Sequence, residues 1–410
     1  MHLAEQYRQS RQGENLQTTS KSEGHHPQTI PPAWKSKRLL PLDALRGLII
    51  VLMALDHTSY YLAGIHPEEF WGLPLPQYST ALAFLTRWLT HLAAPGFFFL
   101  MGTAMILFAD SRQALGWSKG KIIRFFALRG ALLILIQVLV VNPAWLLASP
   151  TLVVKLPGGD GEAFWLYHAG VLYGLGATMI VAAFGLNLDS KVLAAVSGAT
   201  ILAVQLLMPS PEKVAIPYSP LARLLLIPGQ TGRLQVYYPL LPWLGLVGMG
   251  IIFGQQLLRD RKRAYQYALI FGLAFLLLFG AMRYFTSIGD FHPVDKSSWM
   301  GFLNVTKYPP SLMFILLTIG LNLILLYGLA KAGDRLATWG APLLTFGRVA
   351  LFFYVVHLYL YGFIGLAIPD VSLAMVYPWC LVGLLLLYPL CIWYGNFKQQ
   401  TSPQSLWRLF

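Results

Sequence analysis

The chain has 410 residues, of which 56% are hydrophobic and only 11% charged, a composition that excludes an ordinary soluble globular domain and points to a lipid bilayer. Its formal net charge of +13 would suit a nucleic-acid binder only if the basic residues shared a face of a soluble domain. They sit between apolar runs instead, so no nucleic-acid partner is expected.

Taken in chain order, residues 1–38 are polar, with Gln, Ser, Thr and the His25 and His26 pair, and read as a disordered cytoplasmic tail. No signal peptide opens the chain, so the first apolar run serves as both targeting signal and permanent span. Ten spans are expected, near residues 40–63, 80–109, 122–142, 163–184, 192–208, 238–257, 265–284, 308–330, 341–366 and 376–396. They define an all-α polytopic membrane bundle over residues 39–397, followed by a cytoplasmic C-terminal tail over 398–410. With the N-terminus in the cytoplasm, 19 Lys and Arg fall on that side and 6 on the other, leaving Arg46, Arg87, Arg129, Arg283 and Arg348 inside the spans. That is the asymmetry of the positive-inside rule, and "RDRKR" at 259–263 is its clearest sign. The outer loops near 143–162, 209–237 and 285–307 are rich in Pro and Gly. No internal repeat is visible, which argues against transporters built from inverted repeats. Cys380 and Cys391 lie in one late apolar run and read as packing residues, not as a disulfide or zinc site.

The first span, "LDALRGLIIVLMALDHTSYY" at 42–61, carries four ionisable side chains. At about 100° and 1.5 Å per residue, Asp43, Arg46, Ile50, Met53 and His57 form one stripe, with Arg46 and His57 about 16 Å apart along the axis. Charges in lipid are costly, so the stripe should face protein or a watery path and mark function. The bland alternative is a snorkelling Asp43–Arg46 pair and a His57 that only bonds a neighbouring helix.

Outside the tail the histidines are His57, His66, His91, His168, His292 and His357, and the first five map to the outer half or its loops. Histidine can act as base, proton carrier or metal ligand. No pair has a recognised ligand spacing, so no metal is expected. His357, in "LFFYVVHLYLY", reads as a satisfied core residue.

Five blocks, "PLDALRGLIIVLMALDH", "WLTHLAAPGFFFLMGTA", "YYPLLPWLGLVGMGIIFG", "FLNVTKYPPSL" and "FGRVALFFYVVHLYLY", occur in that order. Together they resemble bacterial relatives of the heparan-alpha-glucosaminide N-acetyltransferase family. The spacing from Arg46 to His57 is also similar to the arginine, ten residues, histidine motif of the broader membrane acyltransferases that modify glycans. The resemblance implies a multi-pass enzyme of the bacterial cytoplasmic membrane. It would take acetyl from cytosolic acetyl-CoA and deliver it to a sugar or glycan across the bilayer, by N- or O-acetylation. His57 stands where the lysosomal enzyme has an asparagine, and the family's catalytic loop histidine best matches His66.

The chemistry agrees with these residues. A histidine positioned by a carboxylate can deprotonate the attacking hydroxyl or amine, or carry the acetyl transiently. That makes His57, His66 and Asp56 the catalytic candidates. The donor's phosphates favour basic residues at the cytoplasmic mouth, where Arg46, Lys121, Arg124 and Arg129 are the candidates. Simple anchoring explains Lys121 and Arg124 as well. The partners expected are the lipid bilayer and a glycan acceptor, with a homo-oligomer among the assemblies open to the chain. The competing function is a proton-coupled transporter or flippase using Asp56, His57 and Arg87 as a relay.

Overall fold

The computed structural model describes residues 39–147, 167–213, 216–286 and 288–401. The expected N-terminal tail lies outside them, as does the C-terminal tail from residue 402 onward. Among the described residues the chain is a helical polytopic membrane protein, with eight helical segments long and apolar enough to cross a bilayer.

Leu40–Ala63 forms α1, which starts with Pro41 in its first turn and stops at Gly64, a residue in the left-handed region at φ 63°. Ala81–Thr90 (α2) and Ala93–Gln113 (α3) make one span, broken at His91 and Leu92. Lys119–Ile136 (α4) continues through a π turn at Gln137–Val141 into the short α5, Asn142–Trp145. The expected span at 163–184 differs. Its first residues lie outside the described set, Tyr167–Ala169 is a strand (β1), and the helix proper, α6, covers only Val171–Gly185. Gly170 and the strand account for the late start, because the chain is engaged in sheet pairing until residue 169.

Ser190–Leu207 (α7) leads through connecting segments, including Pro220–Leu225 (α8), to β2 (Gly229–Thr231) and β3 (Leu234–Val236). The three short strands form a sheet ordered β1-β3-β2, with β1 parallel and β2 antiparallel to β3. Leu240–Arg259 (α9), Arg261–Phe285 (α10), the short Trp299–Leu303 (α11) and Leu312–Ala332 (α12) follow. After Arg335–Thr338 (α13), the expected span at 341–366 is divided at Val349 into Ala341–Arg348 (α14) and Ala350–Ala367 (α15). Leu373–Gln400 (α16) closes the bundle and runs into the first residues expected to be tail.

Connections sort to two ends. At one, Gln113 donates to Asn187 and Gln255 to the Leu188 carbonyl, and the start of α1 packs on α14 so closely that a Cβ on Gly47 or Gly347 would overlap the backbone of Leu343 or Asp43. At the other, the Lys307 and Tyr308 amides both donate to the Glu69 carbonyl at 3.0 Å, and Val371 donates to Leu62. Buried Arg283 organises this second end by donating to Asp290 and to the carbonyls of Gly301, Phe302 and Asn304.

Candidate active site

The stripe on α1 faces protein: Ile50, Met53 and His57 are buried, while Asp43 and Arg46 are partly so. One turn of helix separates Asp43 from Arg46, and their side chains meet at 3.0 Å. Arg46 also donates to the Gly347 carbonyl at 3.2 Å, and Arg348 approaches Asp43 at 3.9 Å. Arg129, half-buried on α4, feels the charge of Arg46 and has no ion-pair partner among the described residues. This end of α1 therefore gathers Arg46 and Arg348 about the Asp43 carboxylate, with Arg129 within electrostatic reach of Arg46, a surplus of positive charge suited to an anion. Lys121 and Arg124 are exposed, and Lys121 rests on the Trp117 ring with Nζ 4.4 Å from its centre.

At the opposite end of α1, Arg87 of α2 is the strut of a buried ionic cluster. Its Nη1 donates to both oxygens of Asp56 at 2.8 and 3.0 Å, while Nε and Nη2 reach the two oxygens of Glu69 at 3.0 and 2.8 Å. Thr90, one turn on, donates to Asp56 at 3.1 Å. His66 lies with Nδ1 3.7 Å from Asp56, and His91 with Nε2 3.3 Å from Glu69. Lys307 is 4% exposed and stands over the Tyr308 ring. Two carboxylates against two cations leave the cluster balanced, as burial of charge requires.

The loop residues have shifted proton affinities. Burial pushes His66 down to about 4, against the pull of Asp56, so it is a neutral proton acceptor at neutral pH. Burial raises Glu68 to about 8, and Tyr237 donates to it at 2.5 Å. For Glu69, burial acts upward, but Arg87 and then His91 together hold it below the usual carboxylate range. Burial and Arg87 lower Lys307 to about 8. On the sheet, burial lowers His168 to about 4 against its bond with Gln235.

Asp56 and His57, adjacent in sequence, serve different neighbours. Asp56 is taken up by Arg87, and the histidine beside its carboxylate is His66. His57 turns to α15, where its Nδ1 meets Nε2 of His357 at 2.7 Å. The π turn leads into α5, whose Trp145 ring sits edge-on to His57 at 5.0 Å between centres. Such turns are common at functional sites. Of the sequence candidates, the structure brings Asp56, His57 and His66 to one end of α1, and Arg46 and Arg129 to the other. Glu69, Lys307 and His357 were not singled out for chemistry by the sequence.

The profile of the family described as heparan-alpha-glucosaminide N-acetyltransferase, catalytic, matches residues 38–285, more than half of the chain. The chain belongs to this family. The matched segment contains Arg46, Asp56, His57, His66, Glu69, Arg87, His91 and Arg129. Lys307 and His357 lie beyond it. Compared with individual curated proteins, the chain has no significant match. Family membership makes the chain a member of a transmembrane acetyltransferase family, with its ionic cluster at one end of the helix that opens the matched segment.

Proposed function

We propose that the protein moves an acetyl group from cytosolic acetyl-CoA to a hydroxyl or amino group of a sugar on the opposite side of the membrane. The observation that carries this reading is the polarity of α1. Arg46 and Arg129 mark one end, and the other holds His57, about 16 Å along the helix from Arg46 on the helix rise, together with His66 beside Asp56. An extended pantetheine arm has the reach to join them, with the donor's phosphates at the arginines and the thioester near the histidines. A histidine accepts the proton of the attacking group as the acceptor bonds to the acetyl carbon. The released thiolate then takes a proton.

Arg87 supports catalysis over a proton relay. All of its nitrogens are engaged by Asp56 and Glu69, which makes it a fixed strut that orients Asp56 and the loop bearing His66. Breaking such a buried pair typically costs about 3–5 kcal/mol.

The test is to incubate purified protein with acetyl-labelled acetyl-CoA and trace label into cell-envelope glycans. Wild type should transfer label, while Arg46→Gln and Arg129→Gln should weaken acetyl-CoA binding, since a charge-assisted phosphate contact contributes about 1.5–3 kcal/mol. His57→Ala and His66→Ala should slow turnover by roughly 10²-fold or more with donor still bound. Unlabelled glycan and no donor binding by the folded wild type would sink the reading.

A further inference from the structure

His357 lies on α15, and its Nδ1 is 3.0 Å from the carbonyl oxygen of Phe353, one helical turn back. A carbonyl can only accept, so His357 carries its hydrogen on Nδ1. In a neutral imidazole that leaves Nε2 as the acceptor. This Nε2 faces His57 Nδ1 at 2.7 Å, with the two ring planes within 14° and the ring centres 5.0 Å apart. The separation of centres equals the N···N distance plus a ring radius on each side. The bond therefore runs edge to edge, along the lone pair and not over a ring face.

His57 must then carry its own hydrogen on Nδ1, and its Nε2 is left with the lone pair. No group among the described residues bonds that nitrogen. His57 as a whole keeps 7% of its surface accessible. Trp145 and Tyr354 stand edge-on around the ring, with centres at 5.0 and 6.4 Å, and restrict its rotation.

We propose that His357 is a positioning residue that fixes the tautomer of His57, so that His57 Nε2 is the nitrogen that takes the acceptor's proton. This rests on the acetyl-transfer reading above. The hydroxyl or amine of the acceptor bonds to the acetyl carbon, and its proton passes to Nε2. The C–S bond breaks with its electron pair on the sulfur of coenzyme A, and the imidazolium of His57 returns the proton to that sulfur. Throughout, His57 Nδ1–H stays bonded to His357, which opposes rotation of the ring and the exchange of tautomers. The same arrangement explains why a histidine in a wholly apolar stretch of α15 is retained at full burial: its two nitrogens are both committed, one to the helix backbone and one to His57.

Two substitutions separate positioning from packing. His357→Phe keeps a planar ring and removes the acceptor, whereas His357→Gln keeps an oxygen that can accept from His57. With detergent-purified full-length chain and labelled acetyl-CoA, His357→Phe should lower kcat by roughly 10²-fold, with the KM for acetyl-CoA within about twofold of wild type. His357→Gln should recover about tenfold of that loss.

Independently of activity, ring-labelled histidine NMR of wild type and His57→Gln gives the His57 signal by difference. It should show hydrogen on Nδ1 and a bare Nε2 in wild type, and hydrogen on Nε2 in His357→Phe. Hydrogen on His57 Nε2 in wild type, or equal kcat in wild type and His357→Phe, would overturn the proposal. Absence of acetyl transfer by wild type would overturn the underlying reading and the base role with it, while the NMR signal would still decide the tautomer.

Discussion

Glu68 and Glu69 are neighbours in the chain and opposite in protonation. Glu69 faces Arg87 and is held ionised, whereas Glu68 is buried against Tyr237 and pushed up to about 8. The folded state thus keeps a proton on Glu68 that the unfolded chain releases above the ordinary glutamate range. Wild type accordingly loses stability as pH rises from about 4.5 through 8, and Glu68→Gln, which has no proton to lose and still accepts from Tyr237, should gain on it over that window. The expected result is near-equal thermal midpoints at pH 5 and an advantage for the variant of about 1 kcal/mol or more at pH 8, read by thermal unfolding in detergent. A difference between the two midpoints that does not change from pH 5 to pH 8 would mean that Glu68 titrates in the fold as it does in the unfolded chain.

The sequence points to Asp56, His57, His66 and Arg46 because charges inside one apolar run are conspicuous. It does not single out Glu69 or Lys307, since both stand in loops where charge is ordinary. Their burial arises only when segments some 240 residues apart, around 69 and 307, exchange backbone hydrogen bonds. His357 illustrates the same limit. Its own run looks like core, and its partner is 300 positions away.

At the scale of elements, the apolar runs are legible wherever a helix is continuous, as for α1, α9, α10 and α12. The breaks are less so. Nothing apolar changes at His91 or Val349, where α2 gives way to α3 and α14 to α15, and the three strands are too short to leave a periodic signature. These interruptions are where the site is built: the first carries Arg87 and Thr90 on one side and His91 at the join.

Close packing of α1 on α14 has a similar consequence at the opposite end. Gly347 lets its backbone meet that of Asp43 and puts its carbonyl within 3.2 Å of Arg46. A methyl group there would force the helices apart, with overpacking typically costing about 1–3 kcal/mol. Gly347→Ala should therefore lower the unfolding midpoint and, by moving Arg46, weaken acetyl-CoA binding several-fold. Unchanged stability and donor affinity together would show that α14 yields without displacing α1. Gly198, with open space around its position, is the matched control, for which Ala should be neutral or stabilising.

For the whole molecule the decisive quantity is orientation. The helices sort their connections to two ends, with Arg259, Arg261, Lys262 and Arg263 at the end shared with Arg46, and Glu69, His66 and Lys307 at the other. A concentration of Lys and Arg favours retention in the cytoplasm, so the arginine end of α1 should face the cytosol and the histidine end the exterior. That is the orientation a cytosolic donor and an external acceptor require. Arg261 and Glu212 are exposed and lie at opposite ends, which makes them suitable reporters, whereas Glu68 is bonded to Tyr237 and would report burial instead of side. Cys380 and Cys391 are buried and can be replaced by Ala without adding a buried polar group. In that background, a single cysteine at Glu212 should react with an impermeant thiol reagent added to intact cells, and one at Arg261 only after the membrane is opened. Labelling of both from outside would break the alternation of spans, and labelling of Arg261 alone would invert the protein and place the arginines on the side away from the donor.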